Sequence, residues 1–431
     1  MNFHPIRFGR WLQSRRKTAR VIGMIASANL FGLVIGIIGS LVQAHFIAPD
    51  DLGFVRKYAI VANYAMFLSL GLYLLLRREY PVLIGQGKQE EASRVSALVQ
   101  SWYLGISGIV CGALCVVVIL EIVFGRWREA SAWFIQIVTV WTLIYGSYQS
   151  SLFRSAQEFE RLAKGQFLAT VAGAAVIPLF WIAPFLAFVL RSVISSIVTS
   201  IYLHIVRPIR IRCHWSWREF FDLVKRGIPL YLGDYLRYMF WPTVEIWLML
   251  RLAGDTGVGL LVFSKMIAEA ASQIPFAINQ VYQPRLAQKF GETGNVDTCL
   301  KLSLRPTMLN LGVSVLVTLG VWFAVPPILH YFFPKYVESI PLVSILALQT
   351  FIASVNLSSS YMVVVLEGYV TQFIAAVAGL VIFVGVAIIV YSLGGGIPSV
   401  AWGTLVGQLA FVLLSLNWVY RRARDEVRKP R

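Results

Sequence analysis

Charged residues are scarce in this sequence: Asp, Glu, Lys and Arg together make up 14% of its 431 residues. A soluble domain of average composition carries about 25% charged residues. Hydrophobic residues make up 58% of the chain, and its mean hydropathy is +0.70. So few charges cannot cover the surface of a soluble protein of this length, which excludes a soluble globular fold. The composition instead predicts an all-α polytopic membrane protein with short loops.

Cysteine and histidine are also scarce, with four and five residues, and their spacing matches neither a metal site nor a disulfide framework. The chain contains no GxxxxGK[ST] loop and no HExxH or Ser–His arrangement. Asp50 and Asp51 lie in a predicted outer loop too short to build a sugar site, and an Asp there is predicted to cap the next helix. We therefore expect no cofactor, no metal and no enzymatic activity. A membrane-embedded glycosyltransferase or polymerase is the enzyme alternative.

Long apolar segments predict about twelve membrane-spanning helices, called spans 1 to 12 here. Each segment is long enough to cross about 30 Å of hydrocarbon as a helix. The spans cover residues 20–47, 56–76, 97–124, 131–153, 164–182, 184–206, 228–250, 257–282, 307–332, 340–366, 370–392 and 397–419.

The distribution of basic residues predicts the orientation of the chain. With the N-terminus placed in the cytoplasm, 29 of the 38 Lys and Arg residues fall in predicted cytoplasmic segments and six in outer loops. This asymmetry follows the positive-inside rule and predicts that both termini are cytoplasmic. It also explains the net charge of +17 without a nucleic-acid partner.

The chain divides into two similar halves. Gly53 and Gly259 are equivalent at an offset of 206 residues, and a turn with an acidic residue precedes each. We expect an N-terminal lobe over 1–206, a cytoplasmic amphipathic linker over 207–227 and a C-terminal lobe over 228–431. Two parallel six-helix repeats of this kind are typical of transporters.

Two stretches of sequence resemble a known family. FIAPDDLGFVRKYAIVANYAMFLSLGLYLLLRREYPVLIGQGKQEEA is similar to the start of bacterial polysaccharide-export flippases, and the stretch from KRGIPLYLGDYLRYMFWPTVEIW to INQVYQPRLAQ is similar to their helices 7 and 8. These flippases belong to the multidrug/oligosaccharidyl-lipid/polysaccharide exporter superfamily. The resemblance extends over nearly the whole chain in helix number and spacing.

The resemblance implies a multi-pass protein of the bacterial inner membrane. It implies a flippase that moves a polyprenyl-pyrophosphate-linked oligosaccharide from the cytoplasmic to the outer leaflet for surface polysaccharide synthesis, by alternating access of the two lobes. The implied partners are the lipid-linked substrate, membrane lipids and other membrane proteins of polysaccharide assembly. A cation-coupled multidrug exporter of the same superfamily is the alternative.

Six charged residues lie inside predicted spans. A charge at the centre of the bilayer costs about 2.5–3.5 kcal/mol if it faces lipid, so these residues are expected to face partners or a water-filled cavity. The spacing of those in span 7 places them, with Tyr238 and Trp241, on one stripe of a helix. The six are Arg191 in span 6, Asp234, Arg237 and Glu245 in span 7, and Lys265 and Glu269 in span 8.

We expect Arg191, Arg237 and Lys265 to line one cavity between the lobes and to bind an anionic headgroup, because Arg and Lys are the side chains that pair with phosphate. Other polar side chains are expected to line the same cavity or to bind a coupling ion. These are Asp234, Glu245, Glu269, Gln349 and Asn356.

Two features refine this expectation. Asp234 with Arg237, and Lys265 with Glu269, are spaced to pair within their own helices, which is a purely structural alternative. Glu245 has no basic residue within one helical turn, which makes it the carboxylate to test for binding of a coupling ion. In span 12, GTLVG over 403–407 predicts a close contact between helices.

Overall fold

The computed structural model describes the backbone of residues 35–36, 38–156, 158–208, 213–293, 296–365 and 368–428. The side chains described are those of the same ranges without residues 85, 274, 276–303, 305–306, 355–365, 423 and 425–428. All regular structure in these ranges is helical. The helices are α1 (38–46), α2 (Pro49–Lys57), α3 (Ala59–Phe67), α4 (Leu72–Gly85), α5 (Gln89–Val123), α6 (Trp127–Ser155), α7 (Phe159–Ala175), α8 (Pro184–Ile205), α9 (Trp217–Tyr235), α10 (Trp241–Thr293), α11 (Val296–Phe332), α12 (Ile340–Val365), α13 (Tyr369–Ser392) and α14 (Pro398–Arg428).

Within the described ranges, nine helical segments are long and apolar enough to cross a membrane, or ten if α2–α3 and α4, bent by 45°, form one span. One of the nine, Trp217–Gln273, has 57 residues, roughly 85 Å of helix. It is interrupted at Gly254, where φ is 64°, and contains predicted span 7 and most of predicted span 8. Each predicted span from 2 to 12 thus has a helical counterpart, and most of span 1 lies outside the described residues.

The chain forms two compact units. Unit 1 comprises Met1–Phe46 and Leu72–Val224, and unit 2 comprises Ile47–Gly71 and Lys225–Arg431. Residues 47–71, which the sequence assigns to the N-terminal lobe, are therefore grouped with the C-terminal helices.

Helix α2 begins before the acidic pair that was predicted to cap it. Pro49 is its first residue, and Asp50 and Asp51 lie in its first turn, with basic residues in its last turn. Charges in this order interact favourably with the helix dipole and so stabilise the helix. Ala48 is the N-cap, and no side chain caps the helix. The prediction of an Asp cap was therefore wrong, because the fixed φ of Pro49 already starts the helix.

The two equivalent glycines make reciprocal contacts, because each packs against the segment that precedes the other. In unit 2, a side chain on Gly53 would meet the backbone of Asp255, and one on Gly259 would meet the backbone of Pro49. Asp255 is equivalent to Pro49 at the offset of 206, so the contact is the same in both directions. Reciprocity of this kind is expected where two equivalent segments meet at a two-fold axis.

Helices α13 and α14 pack closely through glycines in unit 2. A side chain on Gly407 would come within 2.5 Å of the carbonyl oxygen of Gly379, and one on Gly403 would come equally close to that of Phe383. The predicted close contact of the GTLVG segment is therefore confirmed, and its partner is α13.

Unit 1 packs around buried tyrosines. The rings of Tyr103 and Tyr148 lie 6.1 Å apart, and those of Tyr148 and Tyr145 lie 5.8 Å apart. The Tyr148 hydroxyl donates to Oε1 of Gln100 at 3.1 Å, and the Tyr145 hydroxyl lies 2.9 Å from Nδ1 of His204. The tyrosines thus fill the core with their rings while their hydroxyls find partners.

Candidate functional site

The predicted polar stripe of span 7 is one face of the helix, and this face packs against α14. Trp241 is buried, stacks on Phe383 at 5.8 Å and lies against Gly407. Towards one end of the stripe the contact is between Arg237 and Phe411, and towards the other it is between Glu245 and Thr404. Most of the stripe is therefore covered by protein, and its two charged ends have different surroundings.

Glu245 forms a buried ion pair with Lys265. Its side chain is 3% exposed, Oε2 contacts the Lys265 ammonium, and Oε1 accepts a hydrogen bond from the Thr404 hydroxyl at 3.1 Å. The Lys265 side chain is 25% exposed. This carboxylate, expected from its sequence neighbours to be unpaired, is thus held between a cation and a hydroxyl.

The chain fold explains why local spacing missed this pair. Glu245 precedes the break at Gly254 by nine residues, and Lys265 follows it by eleven. The break folds the two halves of α10 alongside each other, as the contact of Gly257 with the Met249 side chain also shows. Glu245 and Lys265 lie at similar distances along the chain on opposite sides of Gly254. This symmetry about a glycine was the signal in the sequence that could have revealed the pair.

Arg237 lies in a π-helical turn over Leu236–Phe240 that connects α9 to α10. Its guanidinium carbon lies 4.3 Å from the centre of the Phe411 ring and 5.2 Å from that of Tyr238. Within the described part of the chain, the Arg237 side chain makes neither a hydrogen bond nor an ion pair. Single π turns inside helices are rare and are often found at functional sites.

Asp234 has a partner on α13. Its Oδ1 accepts a hydrogen bond from Nε2 of Gln372 at 3.2 Å. Gln372 also lies against Gly233, where a side chain would meet it at 3.5 Å. Asp234 thus connects the end of α9 to the start of α13.

Arg191 belongs to unit 1, and α1 supplies its partners. Its Nη1 donates to the carbonyl oxygen of Gly39 at 2.8 Å and to Oε1 of the buried Gln43 at 3.2 Å. A side chain on Gly39 would collide with the guanidinium, so only glycine leaves room for it. The charge of Arg191 is therefore stabilised by neutral oxygen acceptors.

The remaining predicted site residues are less closely engaged. Glu269 is exposed, and its carbonyl oxygen accepts a hydrogen bond from the Ser272 hydroxyl at 2.7 Å. Gln349 is half-buried on α12. The Asn356 side chain lies outside the described residues.

Several polar contacts between α2 or α3 and the other helices of unit 2 were not predicted. Lys57 forms an ion pair with Asp255 at 2.8 Å, and Asn63 donates to the Thr243 hydroxyl at 2.9 Å. The Tyr231 hydroxyl donates to the carbonyl oxygen of a residue in α3 at 2.7 Å. The internal repeat was the sequence signal for these contacts. It makes the segment around α2 equivalent to the segment around Asp255, and equivalent segments are candidates for contact.

Among the described residues, no group of three or more His, Cys, Asp and Glu side chains is placed to hold a metal ion.

Solved structures share this fold at low sequence identity. An inward-facing multidrug resistance MATE family transporter of the MOP superfamily has a TM-score of 0.69 and 16% identity over 91% of this chain and 95% of its own. An outward-facing one has a TM-score of 0.65 and 16% identity over 95% and 97% of the two chains. A MOP superfamily transporter from Pyrococcus furiosus has a TM-score of 0.68 and 15% identity over 95% and 96%.

Sequence comparison places the chain in a family. No curated protein sequence matches it. The family model described as polysaccharide biosynthesis protein matches residues 42–307, which is more than half of the chain. This is a multi-pass membrane protein with the fold of MOP superfamily transporters, and it belongs to the polysaccharide biosynthesis protein family.

Proposed function

We propose that this protein is a flippase that moves a polyprenyl-pyrophosphate-linked oligosaccharide from the cytoplasmic to the outer leaflet of the bacterial inner membrane. One observation carries the proposal: a chain of the polysaccharide biosynthesis family has the fold of a MOP transporter. A transporter in such a pathway would move the pathway's lipid-linked sugar. The protein is then a transporter and not an enzyme, and its other partners are membrane lipids and other polysaccharide-assembly proteins.

The charges within the helices support an anionic substrate. A pyrophosphate group must be shielded from hydrocarbon while it crosses the bilayer. Arg191, Arg237 and Lys265 are the candidate cations for its headgroup. Of these, Lys265 is paired with Glu245, Arg191 donates to two neutral acceptors through one nitrogen, and the Arg237 side chain has no hydrogen-bond or ion-pair partner among the described residues. An added anion at Arg237 would balance the local charge.

The membrane potential can supply the driving force for this movement. Moving one negative charge outward across a membrane that is negative inside releases about 2.3 kcal/mol per 100 mV. The basic residues stay with the protein, so they reduce the cost of desolvating the headgroup without crossing the membrane themselves. We therefore propose potential-driven transport by alternating access of two lobes.

Reconstitution tests the proposal. Purified protein is placed in liposomes that carry a tagged polyprenyl-pyrophosphate-linked oligosaccharide, and a membrane-impermeant reagent reports which leaflet holds the sugar. An imposed potential, with no ion gradient other than the one that generates it, is expected to move the headgroup towards the positive side, and protein-free liposomes show the background rate. The absence of protein-dependent movement at any potential would refute the flippase.

A cation-coupled multidrug exporter is the second candidate, and the similarity to MATE transporters is the observation that favours it. Such an exporter would accumulate a drug in response to a proton or sodium gradient, and Glu245→Gln would abolish that response if Glu245 binds the coupling ion. In a potential-driven flippase, Glu245→Gln retains headgroup movement, provided that the variant is folded. Drug accumulation driven by an ion gradient, without movement of lipid-linked sugar, would establish the exporter instead.

A further inference from the structure

We propose that the Lys265 ammonium is a built-in cation, which occupies a site formed by Glu245 and Thr404 that would otherwise take a small monovalent cation from solution. The inference rests on the proposed function, because it specifies what such a flippase does not need, namely a coupling cation bound to Glu245. It goes beyond the ion pair itself, since a pair that only stabilises the fold predicts no cation site when its lysine is removed.

Glu245 and Thr404 form one side of this site. The Glu245 side chain is 3% exposed, and Thr404 is fully buried. The Thr404 hydroxyl donates to Oε1 of Glu245 at 3.1 Å, and it also lies 2.9 Å from the carbonyl oxygen of Val400, one turn earlier on α14. These two contacts fix the hydroxyl and, through it, one carboxylate oxygen. The second oxygen, Oε2, is left to bind a cation.

The burial of the carboxylate requires a cation at Oε2. An unpaired charge among apolar helices is costly, so a buried carboxylate needs a cation or a proton. Lys265 is the described residue whose cationic group contacts Glu245. Its ammonium is a compact point charge with three donors, and so resembles a monovalent cation more closely than a guanidinium does. Lys265 thus fills the position that a free cation would take.

Lys265 is attached where it competes well with free cations. It lies on the part of α10 that follows the break at Gly254, between the buried residues Ser264 and Ala268. An ammonium attached to a packed helix is present beside its partner at a high effective concentration. A free cation is therefore expected to bind at Glu245 only when the ammonium is removed.

The site can be reached from the side of Lys265. The Lys265 side chain is 25% exposed, whereas that of Glu245 is 3% exposed. Lys265→Ala therefore removes the ammonium and opens a path from the surface to Oε2. The fragment that this substitution removes corresponds to a propylammonium ion, which makes propylammonium the probe that matches the vacated space.

A built-in cation determines what can drive transport. Coupling to an ion gradient requires a cation that binds on one side of the membrane and is released on the other. The Lys265 ammonium is covalently attached and stays with the protein, so its pair with Glu245 carries no ion across. Transport is then driven by the membrane potential acting on the charge of the substrate, and it proceeds equally well in sodium, potassium or choline salts.

Thermal unfolding of the purified full-length chain in detergent tests the inference. Wild type and Lys265→Ala are titrated with sodium, potassium or propylammonium chloride, and choline chloride keeps the ionic strength constant. The pH is held at about 8.5, so that an unpaired Glu245 ionises more readily. The wild type is expected to melt at the same temperature in all of these salts. Lys265→Ala is expected to melt lower in choline and to recover about 2–5 °C at saturation with propylammonium or sodium.

Lys57→Ala is the matched control, because it also removes a lysine from a carboxylate. Lys57 and Asp255 are both partly exposed, so no saturable response to a cation is expected. Lys265→Ala/Glu245→Gln lacks the carboxylate and is expected to lose the response altogether. Lys265→Ala/Thr404→Val lacks the hydroxyl that holds the carboxylate, and its affinity for the cations is expected to fall about 10-fold.

Several results would overturn the inference. Saturable stabilisation of the wild type by sodium or potassium over choline would show that Glu245 takes a free cation in the presence of Lys265. A folded Lys265→Ala that responds to none of the cations would show a purely structural pair, and an equal response in Lys57→Ala would show a nonspecific effect. If Lys265→Ala does not fold, Lys265→Gln is titrated with sodium and potassium, and the same outcomes decide.

The liposome assay separates this inference from the proposed function. If the wild type moves lipid-linked oligosaccharide only in a sodium or potassium gradient, and Glu245→Gln abolishes that movement, the built-in cation is wrong and the flippase proposal stands. If Lys265→Ala binds cations through Glu245 but the wild type moves no lipid-linked oligosaccharide, the cation site stands and the flippase proposal fails.

Discussion

Unit 1 and unit 2 stabilise cations within their apolar helices by different means. In unit 1, Arg191 donates to a backbone carbonyl and a glutamine amide, both neutral. In unit 2, Lys265 contacts a buried carboxylate, and the polar partners of the Arg237 side chain among the described residues are aromatic rings alone. A neutral acceptor leaves the net charge of the cation in place, an ion pair removes it, and a ring contact keeps both the charge and the donors. The three basic residues therefore differ in what they can offer a ligand.

Gly39 of unit 1 and the pair Gly379 and Gly407 of unit 2 make room for different groups. In unit 1, Gly39 leaves room for a side chain, the guanidinium of Arg191. In unit 2, Gly379 and Gly407 leave room for backbone, so that α13 and α14 approach each other directly. Loss of the first kind of glycine displaces a flexible group, whereas loss of the second kind separates two helices.

The largest effect is expected from breaking the ion pair of unit 2. Glu245→Gln leaves the Lys265 ammonium without its carboxylate, and removal of one partner of a buried pair costs about 3–5 kcal/mol. The free energy of unfolding of the purified chain in detergent measures the loss. The double variant Glu245→Gln/Lys265→Met removes both charges and is expected to recover most of the stability. If the double variant were less stable than Glu245→Gln alone, the pairing would be contradicted.

The next effect concerns the glycine contact between α13 and α14. Gly407→Leu places a side chain where the carbonyl of Gly379 and the ring of Trp241 already lie, and overpacking of this kind costs about 1–3 kcal/mol. Gly385→Ala on α13 is the control, because a side chain there meets nothing within 4 Å. We expect a lower melting temperature for Gly407→Leu and little change for Gly385→Ala; equal melting temperatures would count against the close contact.

A similar or slightly smaller effect is expected when the cation of unit 1 is removed. Arg191→Gln loses charge-assisted hydrogen bonds to α1, each worth about 1.5–3 kcal/mol, and the new amide recovers part of this. Its stability is expected to fall, and the melting temperature of the purified chain in detergent measures the loss. A melting temperature equal to that of the wild type would contradict the contact between Arg191 and α1 and abolish the contrast with unit 2.

The smallest effect is expected from the ion pair between Lys57 and Asp255, which are both partly exposed, at 24% and 30%. Pairs of this kind contribute about 0–1 kcal/mol and weaken as salt is added. Lys57→Met is expected to lower the melting temperature slightly at low salt and hardly at all at high salt. A large, salt-independent fall would show that the contact stabilises unit 2 as a buried pair does.

The sequence by itself determined the all-helical membrane fold, because long apolar segments with few charges have no other stable arrangement in a bilayer. It also determined that Asp234, Arg237, Trp241 and Glu245 share one helix face, because helical periodicity is local. Residue spacing also predicted the GTLVG contact and the equivalence of Gly53 with Gly259.

Only the tertiary structure decided what those residues touch. Glu245 meets Lys265 because the chain folds back at Gly254, and the stripe of span 7 is covered because α14, more than 150 residues later, packs on it. Arg191, Arg237 and Lys265 have the same sequence signature, a cation in an apolar span. The availability of each one to a ligand depends on groups brought from distant segments, and electrostatic and hydrogen-bonding partners are set by distance in space and not by distance along the chain.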